Sequence, residues 1–236
     1  MHETVTWSED NCPRSPRFDD VYRSRNGGLL QAQTVFLGGC QLPHRWSAAP
    51  QFCILETGFG LGLNFLATWH MWQSDPQRCT RLHYVAIEAY PVPAADLLRS
   101  VQALDPPNPA LVALAAELAV AWSGLRPGLQ NFEFANGAVR LTLAIGEVLP
   151  MLQQLTCVAD AIYLDGFNPV KNPEMWSQTT LEAVAAHCRP GSVLASYSVA
   201  APVRRVLSGA GFVVKRCPGI PPKWQRLEAR FEPAVR

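Results

Sequence analysis

From residue 52 onward the chain alternates between two hydrophobic periods. Short runs in which nearly every side chain is apolar, such as FCILETG (52–58) and LHYVAIEA (82–89), predict buried strands. Between them, apolar residues recur every three or four positions in LNFLATWHMW (63–72) and AADLLRSVQAL (94–104), which predicts helices. Pro106, Pro107 and Pro109 stop the second of these, and Ala110–Trp122 reads as another helix. NFEFANGAVRLTLAIG (131–146) reads as a hairpin turning at Asn136-Gly137. EVLPMLQQL is then a short helix, ADAIYLD a strand, and SQTTLEAVAAHC a helix with Ser177 as its N-cap. SVLASYS is a strand and APVRRVLSGAG a helix. FVVKRC and RLEARFE close the chain as two strands joined through Pro218-Gly219 and Pro221-Pro222. The expected fold is α/β: a mostly parallel, doubly wound sheet covered on both faces and ending in an antiparallel hairpin.

The first fifty residues follow neither period. Pro13, Pro16, the Asn26-Gly27-Gly28 break, Gly38-Gly39, Pro43 and Pro50 punctuate them, with two short β-type runs around Thr34–Leu37 and Leu42–Trp46. This predicts a small N-terminal extension, residues 1–51, packed on a main domain spanning 52–236.

Composition narrows the class. Of 236 residues, 48% are hydrophobic, enough for one substantial core. No stretch approaches the ~20 apolar residues of a membrane helix, and the polar, acid-bearing start MHETVTWSEDNCPRS does not read as a signal peptide. A cytoplasmic protein is expected. Seven scattered cysteines without a CxxC suit reduced buried thiols, and five histidines without HxH or HExxH spacing give no reason to expect a metal. Charge is uneven: residues 1–188 hold 11 Lys and Arg against 17 Asp and Glu, and residues 189–236 hold 9 against 2. The basic C-terminal fifth is either a surface for a polyanion or an ordinary solvated edge.

In doubly wound sheets ligands sit beyond the carboxyl ends of the strands. The first main strand ends in Glu56-Thr57-Gly58-Phe59-Gly60-Leu61-Gly62, the next at Glu88, and the third at Gly146-Glu147. GxGxG with an acid at its start lacks the spacing that seats a pyrophosphate. S-adenosylmethionine fits better, since it carries an ammonium, a ribose diol and no phosphate. Glu88 is placed to hold the ribose, and Glu147 to accept from adenine or simply to start a helix. A glycine turn that only packs helix on strand is the alternative. Asp165 ends the fourth strand and leads into Gly166-Phe167-Asn168-Pro169. An acid and turn carbonyls there can accept the protons of an amine nucleophile, with Phe167 or Trp176 as a flat face for a base. A tight turn with a capping Asp is the plainer reading.

ETGFGLGLNFLATW (56–69), LDGFNPVKNPEMW (164–176) and FDDVYRSRNGGLLQAQTVFLGGCQLPHRW (18–46) together resemble the methyltransferase half of the bacterial MnmC enzymes, in order over nearly the whole chain. The resemblance implies a Rossmann-like class I S-adenosylmethionine-dependent methyltransferase. It implies N-methylation of the aminomethyl group of 5-aminomethyl(-2-thio)uridine at the tRNA wobble position. Carried over by motif, Glu56, Gly58, Gly60, Gly62 and Asn64 hold the methionine end of the cofactor, Glu88 the ribose, and Glu147 the adenine side. Asp165, Phe167 and Pro169 line the catalytic pocket. Asn168, Lys171 and Trp176 lie on the substrate side, Asp20 and Tyr22 close over it, and Lys223 and Arg226 serve the tRNA anticodon loop. The bifunctional relatives carry a fused FAD-dependent oxidase. The sequence stops at Arg236 without one, so a stand-alone enzyme is expected, its aminomethyl group supplied by a separate enzyme.

Three departures bear on the substrate. Leu61 replaces the usual Thr of GFGTGLNF, Asn168 the small residue of DGFAP, and GIPPKWQRLE a segment similar to GFGRKREM. They keep two other readings open: methylation of a different amine, or a cofactor- or RNA-binding protein without turnover.

Overall fold

The structure is a computed structural model describing residues 3–23, 27–221 and 223–233. Asn26 and Pro222, both read from the sequence as turn residues, lie outside the described residues. Eight strands form the main sheet: β1 (Gln51–Glu56), β2 (Arg81–Glu88), β3 (Gly128–Phe134), β4 (Val139–Ile145), β5 (Ala159–Tyr163), β6 (Cys188–Ser196), β7 (Phe212–Ile220) and β8 (Lys223–Phe231). Their order is β7-β8-β6-β5-β1-β2-β4-β3. The five central strands are parallel, and both edges are antiparallel.

Helices α1 (Leu63–Ser74), α2 (Ala94–Gln102), α3 (Pro109–Ala121), α4 (Val148–Gln154), α5 (Gln178–Ala186) and α6 (Ala201–Gly209) alternate with the strands. Side chains one apart on a strand go to opposite faces. Ile54, Tyr84, Leu141 and Tyr163 therefore join the core that holds α1 and α3, while Leu55, Val85, Ile162 and Leu194 join the core under α4, α5 and α6. Burial on both faces is why β1 is apolar at every position from Phe52 to Leu55. The caps follow the local chemistry. Asn108 accepts from the backbone of Leu111 at 3.1 Å ahead of Pro109, and Ser177 accepts from Thr180 at 3.2 Å.

Strand order reverses at β1: the chain proceeds to β2 and β4 on one side and to β5 and β6 on the other. The carboxyl ends of β1 and β5 thus flank a crevice, where ligands of this architecture bind.

Two expectations change. Thr34–Leu37 and Leu42–Trp46 are not strands: Ala32–Leu37 is a π-helix and His44–Trp46 a 3-10 turn. Ala32, Val35, Phe36 and Leu37 are buried, a helical spacing that a four-residue window conceals. The segment lies so close to the sheet that a Cβ on Gly39 would fall 2.8 Å from that of Ala195 on β6. Near Trp46 the backbone closes a turn onto Pro43, and the buried indole donates to Asp75 at 2.7 Å. Pro218-Gly219, expected in the final connection, instead lies inside β7. That strand is an edge, where proline's missing N–H can face outward.

N-terminal to this, Thr6–Trp7, Pro13–Ser15 and Asp20–Val21 make a small antiparallel sheet. None of the seven cysteines is in a disulfide. Among the described residues no helix is long and apolar enough to cross a membrane, and no group of three His, Cys, Asp or Glu side chains is arranged to hold a metal.

Candidate active site

A cavity of ≈ 200 Å³ opens at the β1/β5 crevice. Of the residues singled out from the sequence, Gly58, Gly60, Asn64, Glu88, Glu147, Asp165, Phe167 and Tyr22 line it. Its floor is the turn from β1 into α1. Gly60 has φ +54°, and its backbone N–H donates to Glu88 at 2.7 Å. The other Glu88 oxygen accepts from Tyr90 N at 2.8 Å, so this buried carboxylate locks the glycine turn to the end of β2. Burial raises the Glu88 carboxyl above its usual range. Glu147 stands at the N-cap of α4 and accepts from the Tyr90 hydroxyl at 2.9 Å.

Gly58 is where the two long motifs meet. A Cβ there would lie 3.0 Å from the Asp165 carbonyl and 3.2 Å from Gly166 Cα. Thr57 secures the same junction: its hydroxyl donates to Asp165 O at 2.7 Å and accepts from Asp165 N at 3.1 Å. Gly58→Ala is therefore expected to displace the Asp165 loop, lowering kcat/KM about tenfold with little change in melting temperature. Steady-state kinetics beside thermal denaturation check this, and unchanged kinetics would show that the loop absorbs the methyl group.

The acids are graded by depth. Glu56, placed by the sequence in contact with the cofactor, is fully buried behind the cavity wall. Its oxygens accept from Asn64 Nδ2 at 2.7 Å and from the Tyr84 hydroxyl at 2.9 Å. Burial, then the nearby Asp165 charge, pushes its carboxyl well above the usual range. Asn64 Nδ2 also donates to Asp165 Oδ2 at 2.8 Å, so one amide bridges both carboxylates. Asp165, half-buried at the cavity, takes the Gly166 N–H on its other oxygen at 2.8 Å. Burial raises its carboxyl to about 6, while the Gly166 and Asn64 donors and the Lys223 charge oppose the rise.

Beyond Asp165 the wall is aromatic. Phe167 stacks on Phe18 with centroids 4.7 Å apart and meets Tyr22 edge-on at 5.1 Å. Three of the four expected carbonyl acceptors of the 166–169 turn are already engaged. Gly166 O accepts from the Tyr197 hydroxyl at 2.7 Å, Phe167 O from Trp176 Nε1 at 2.8 Å, and Asn168 O from the Lys171 and Asn172 amides. Acceptance at the site thus falls to the Asp165 carboxylate. Trp176 is a buried anchor of the turn, not a face for a base.

The remaining candidates lie off the cavity. Gly62 is the left-handed cap of α1. Asp20 accepts from the Asn168 backbone at 2.9 Å, joining the N-terminal segment to the loop. Asn168 is exposed, and its side-chain oxygen accepts from Val170 N at 2.9 Å, so the polar group that replaces the small residue of DGFAP is used in its own turn. Pro169 follows in that turn, and Lys171 pairs with Asp19 at 3.2 Å. Arg226 is spent on Glu228 at 2.6 Å, whereas the Lys223 ammonium sits 3.5 Å over the Tyr197 ring, beside the turn. Leu61, by contrast, is nearly sealed in the core yet lines the cavity beside the glycine turn. Phe18, Tyr90 and Tyr197 were not anticipated. The first lies in the FDDVY stretch, but nothing in sequence spacing tells that it reaches Phe167.

Four carboxylates line the cavity (Glu88, Glu147, Asp165 and Glu174) against one cation, Arg23. That charge pattern disfavours phosphate and suits a sulfonium nucleoside with an ammonium group, which S-adenosylmethionine is.

Comparison with known proteins agrees. Residues 109–232 match a family model described as S-adenosyl-L-methionine-dependent methyltransferase. Over 99% of its length the chain is 50% identical to the tRNA 5-methylaminomethyl-2-thiouridine biosynthesis bifunctional protein MnmC of Polaromonas sp. (strain JS666) and 51% identical to that of Delftia acidovorans. It spans 37% and 36% of those proteins. The crystal structure of MnmC2 from Aquifex aeolicus superposes with a TM-score of 0.75 at 20% identity, covering 100% of this chain and 73% of that one, which shows a shared fold.

Proposed function

The chain belongs to the S-adenosyl-L-methionine-dependent methyltransferase family, and from that premise we propose that it methylates the aminomethyl nitrogen of 5-aminomethyl(-2-thio)uridine at the wobble position of tRNA. The observation that carries the proposal is a single half-buried carboxylate, Asp165, between the glycine turn of β1 and the stacked Phe18–Phe167 wall. The similar MnmC proteins are named for making 5-methylaminomethyl-2-thiouridine, whose amine differs from the aminomethyl group by one methyl.

When bound, the cofactor supplies an electrophilic methyl group on sulfur. Glu88 and the Gly58–Gly60 turn hold the nucleoside and methionine portions, with Glu147 and Tyr90 at the adenine side. Glu56 acts from behind, by fixing Asn64. The acceptor arrives as an ammonium, which the ionised Asp165 attracts and orients. A neutral amine must present its lone pair, so one proton leaves before attack and another after it. Asp165 takes up or relays these protons. Phe167 and Phe18 give the uracil ring a flat wall, Tyr22 closes it, and the unpaired wobble base can be splayed into the pocket. Pro169 fixes the turn that carries Phe167. Lys223, at the rim, lies where anticodon phosphates would pass. The amine itself must come from a preceding activity on the same tRNA.

The test is incubation with methyl-labelled S-adenosylmethionine and tRNA bearing 5-aminomethyluridine, followed by nucleoside mass analysis. The expected product is uridine carrying one labelled methyl on its side-chain nitrogen. Cofactor binding without labelled uridine would send the assignment to a different amine.

A further inference from the structure

Arg23 is the only cation among the described residues that line the cavity. Its place is fixed by packing: a Cβ on Gly28 would meet Arg23 Cδ at 2.6 Å and Leu63 Cδ2 at 2.7 Å. Arg23 therefore lies against the first residue of α1, at the end of the glycine turn and away from Glu147 at the start of α4. Its bonding is incomplete. One terminal nitrogen donates to Asn11 O at 3.1 Å, but Nε is buried without a partner. Burial lowers its pKa, although a guanidinium remains protonated at any physiological pH.

Nε is sealed from the cavity, but a half-buried guanidinium on the cavity wall, with one terminal nitrogen bonded to a backbone oxygen, marks a place for an anion. The cavity's carboxylates provide for the cofactor's ribose, its amine and its cationic sulfur. They repel its remaining charged group, the α-carboxylate of the methionine portion. We infer that Arg23 binds that carboxylate and makes the site selective for donors that carry it. The flat fork of N–H donors matches a carboxylate in a way an ammonium cannot. This assignment rests on the family's cofactor and not on which amine is methylated, so the nucleoside assay and the following test can fail separately.

The test is equilibrium binding of S-adenosylmethionine and of decarboxylated S-adenosylmethionine, measured calorimetrically on the wild-type protein, Arg23→Met and Arg23→Lys. The wild type is expected to bind the complete donor about 10- to 100-fold more tightly than the decarboxylated one. Arg23→Met should lose that margin by weakening the complete donor alone, and Arg23→Lys should keep part of it. Equal weakening of both ligands by Arg23→Met would make Arg23 a packing residue and overturn the inference. Thermal denaturation guards against a folding defect. Should Arg23→Met be unfolded, Arg23→Lys carries the test: a reduced margin between the two donors supports the guanidinium as the carboxylate's partner, and an unchanged margin overturns it.

Discussion

Asp165→Asn is expected to lower kcat about 10³-fold while leaving the dissociation constant for S-adenosylmethionine within about threefold of wild type. Asp165 is the charged acceptor at the turn, each oxygen taking one donor (Asn64 and the Gly166 N–H) and keeping a lone pair, while the neighbouring carbonyls serve Tyr197, Trp176 and the loop amides. The residues proposed for the cofactor's nucleoside end, by contrast, are Glu88, Gly60 and Tyr90, which are bonded to one another. Because burial raises the Asp165 carboxyl to about 6, wild-type kcat should rise with pH through 6 and level off above it. The same shift sets the sign for stability. A folded-state value above the unfolded one means that the protonated group stabilises below pH ~4 and that this contribution is lost as pH rises through 6. Removing the charge should accordingly raise stability by about 1–2 kcal/mol at pH 7.5 and change little at pH 4. A variant that is inactive yet melts higher at neutral pH marks a carboxylate kept for chemistry. One that loses stability at both pH values would mark Asp165 as a turn residue only.

Much of this was legible in the chain, for reasons particular to each segment. β1 and β2 announce themselves because a parallel strand buried on both faces is apolar almost throughout and becomes acidic at its carboxyl end, where Glu56 and Glu88 stand. The segment at 34–46 misleads because the short apolar run Val35–Leu37 fits a strand or a helix equally well, and tertiary packing on β6 decides. Pro218-Gly219 misleads because an edge strand tolerates what a central strand would not. Within the site, motif spacing identifies the loops but not the depth of their side chains. Glu56 and Asp165 both end strands, yet one is sealed behind Asn64 and the other meets the cavity. Phe18 and Arg23 reach the cavity only because the N-terminal segment folds across the rim, a placement no local period encodes.

The bridge between those acids is the second point of large effect. Asn64 sits in the first turn of α1, where its amide nitrogen carries two hydrogens and serves Glu56 at 2.7 Å and Asp165 at 2.8 Å together. Asn64→Ala removes the donor shared by two carboxylates that repel each other across a water-poor gap. Asp165 then retains the Gly166 N–H and Glu56 the Tyr84 hydroxyl. Loss of a donor to a buried charge costs about 2–4 kcal/mol, so this variant should be less stable than wild type, opposite in sign to Asp165→Asn. It should also bind a proton more tightly. The acid limb of kcat is expected to move up from about 6 by at least a unit, cutting turnover at pH 7 about twofold or more. Raising the pH to 9 should then restore most of the lost rate, which no pH restores in Asp165→Asn. pH–rate profiles of the two variants, measured beside their melting curves, separate the residue that handles the proton from the one that holds it in place. An unshifted limb in Asn64→Ala would mean that burial alone sets the Asp165 carboxyl and that Asn64 serves packing.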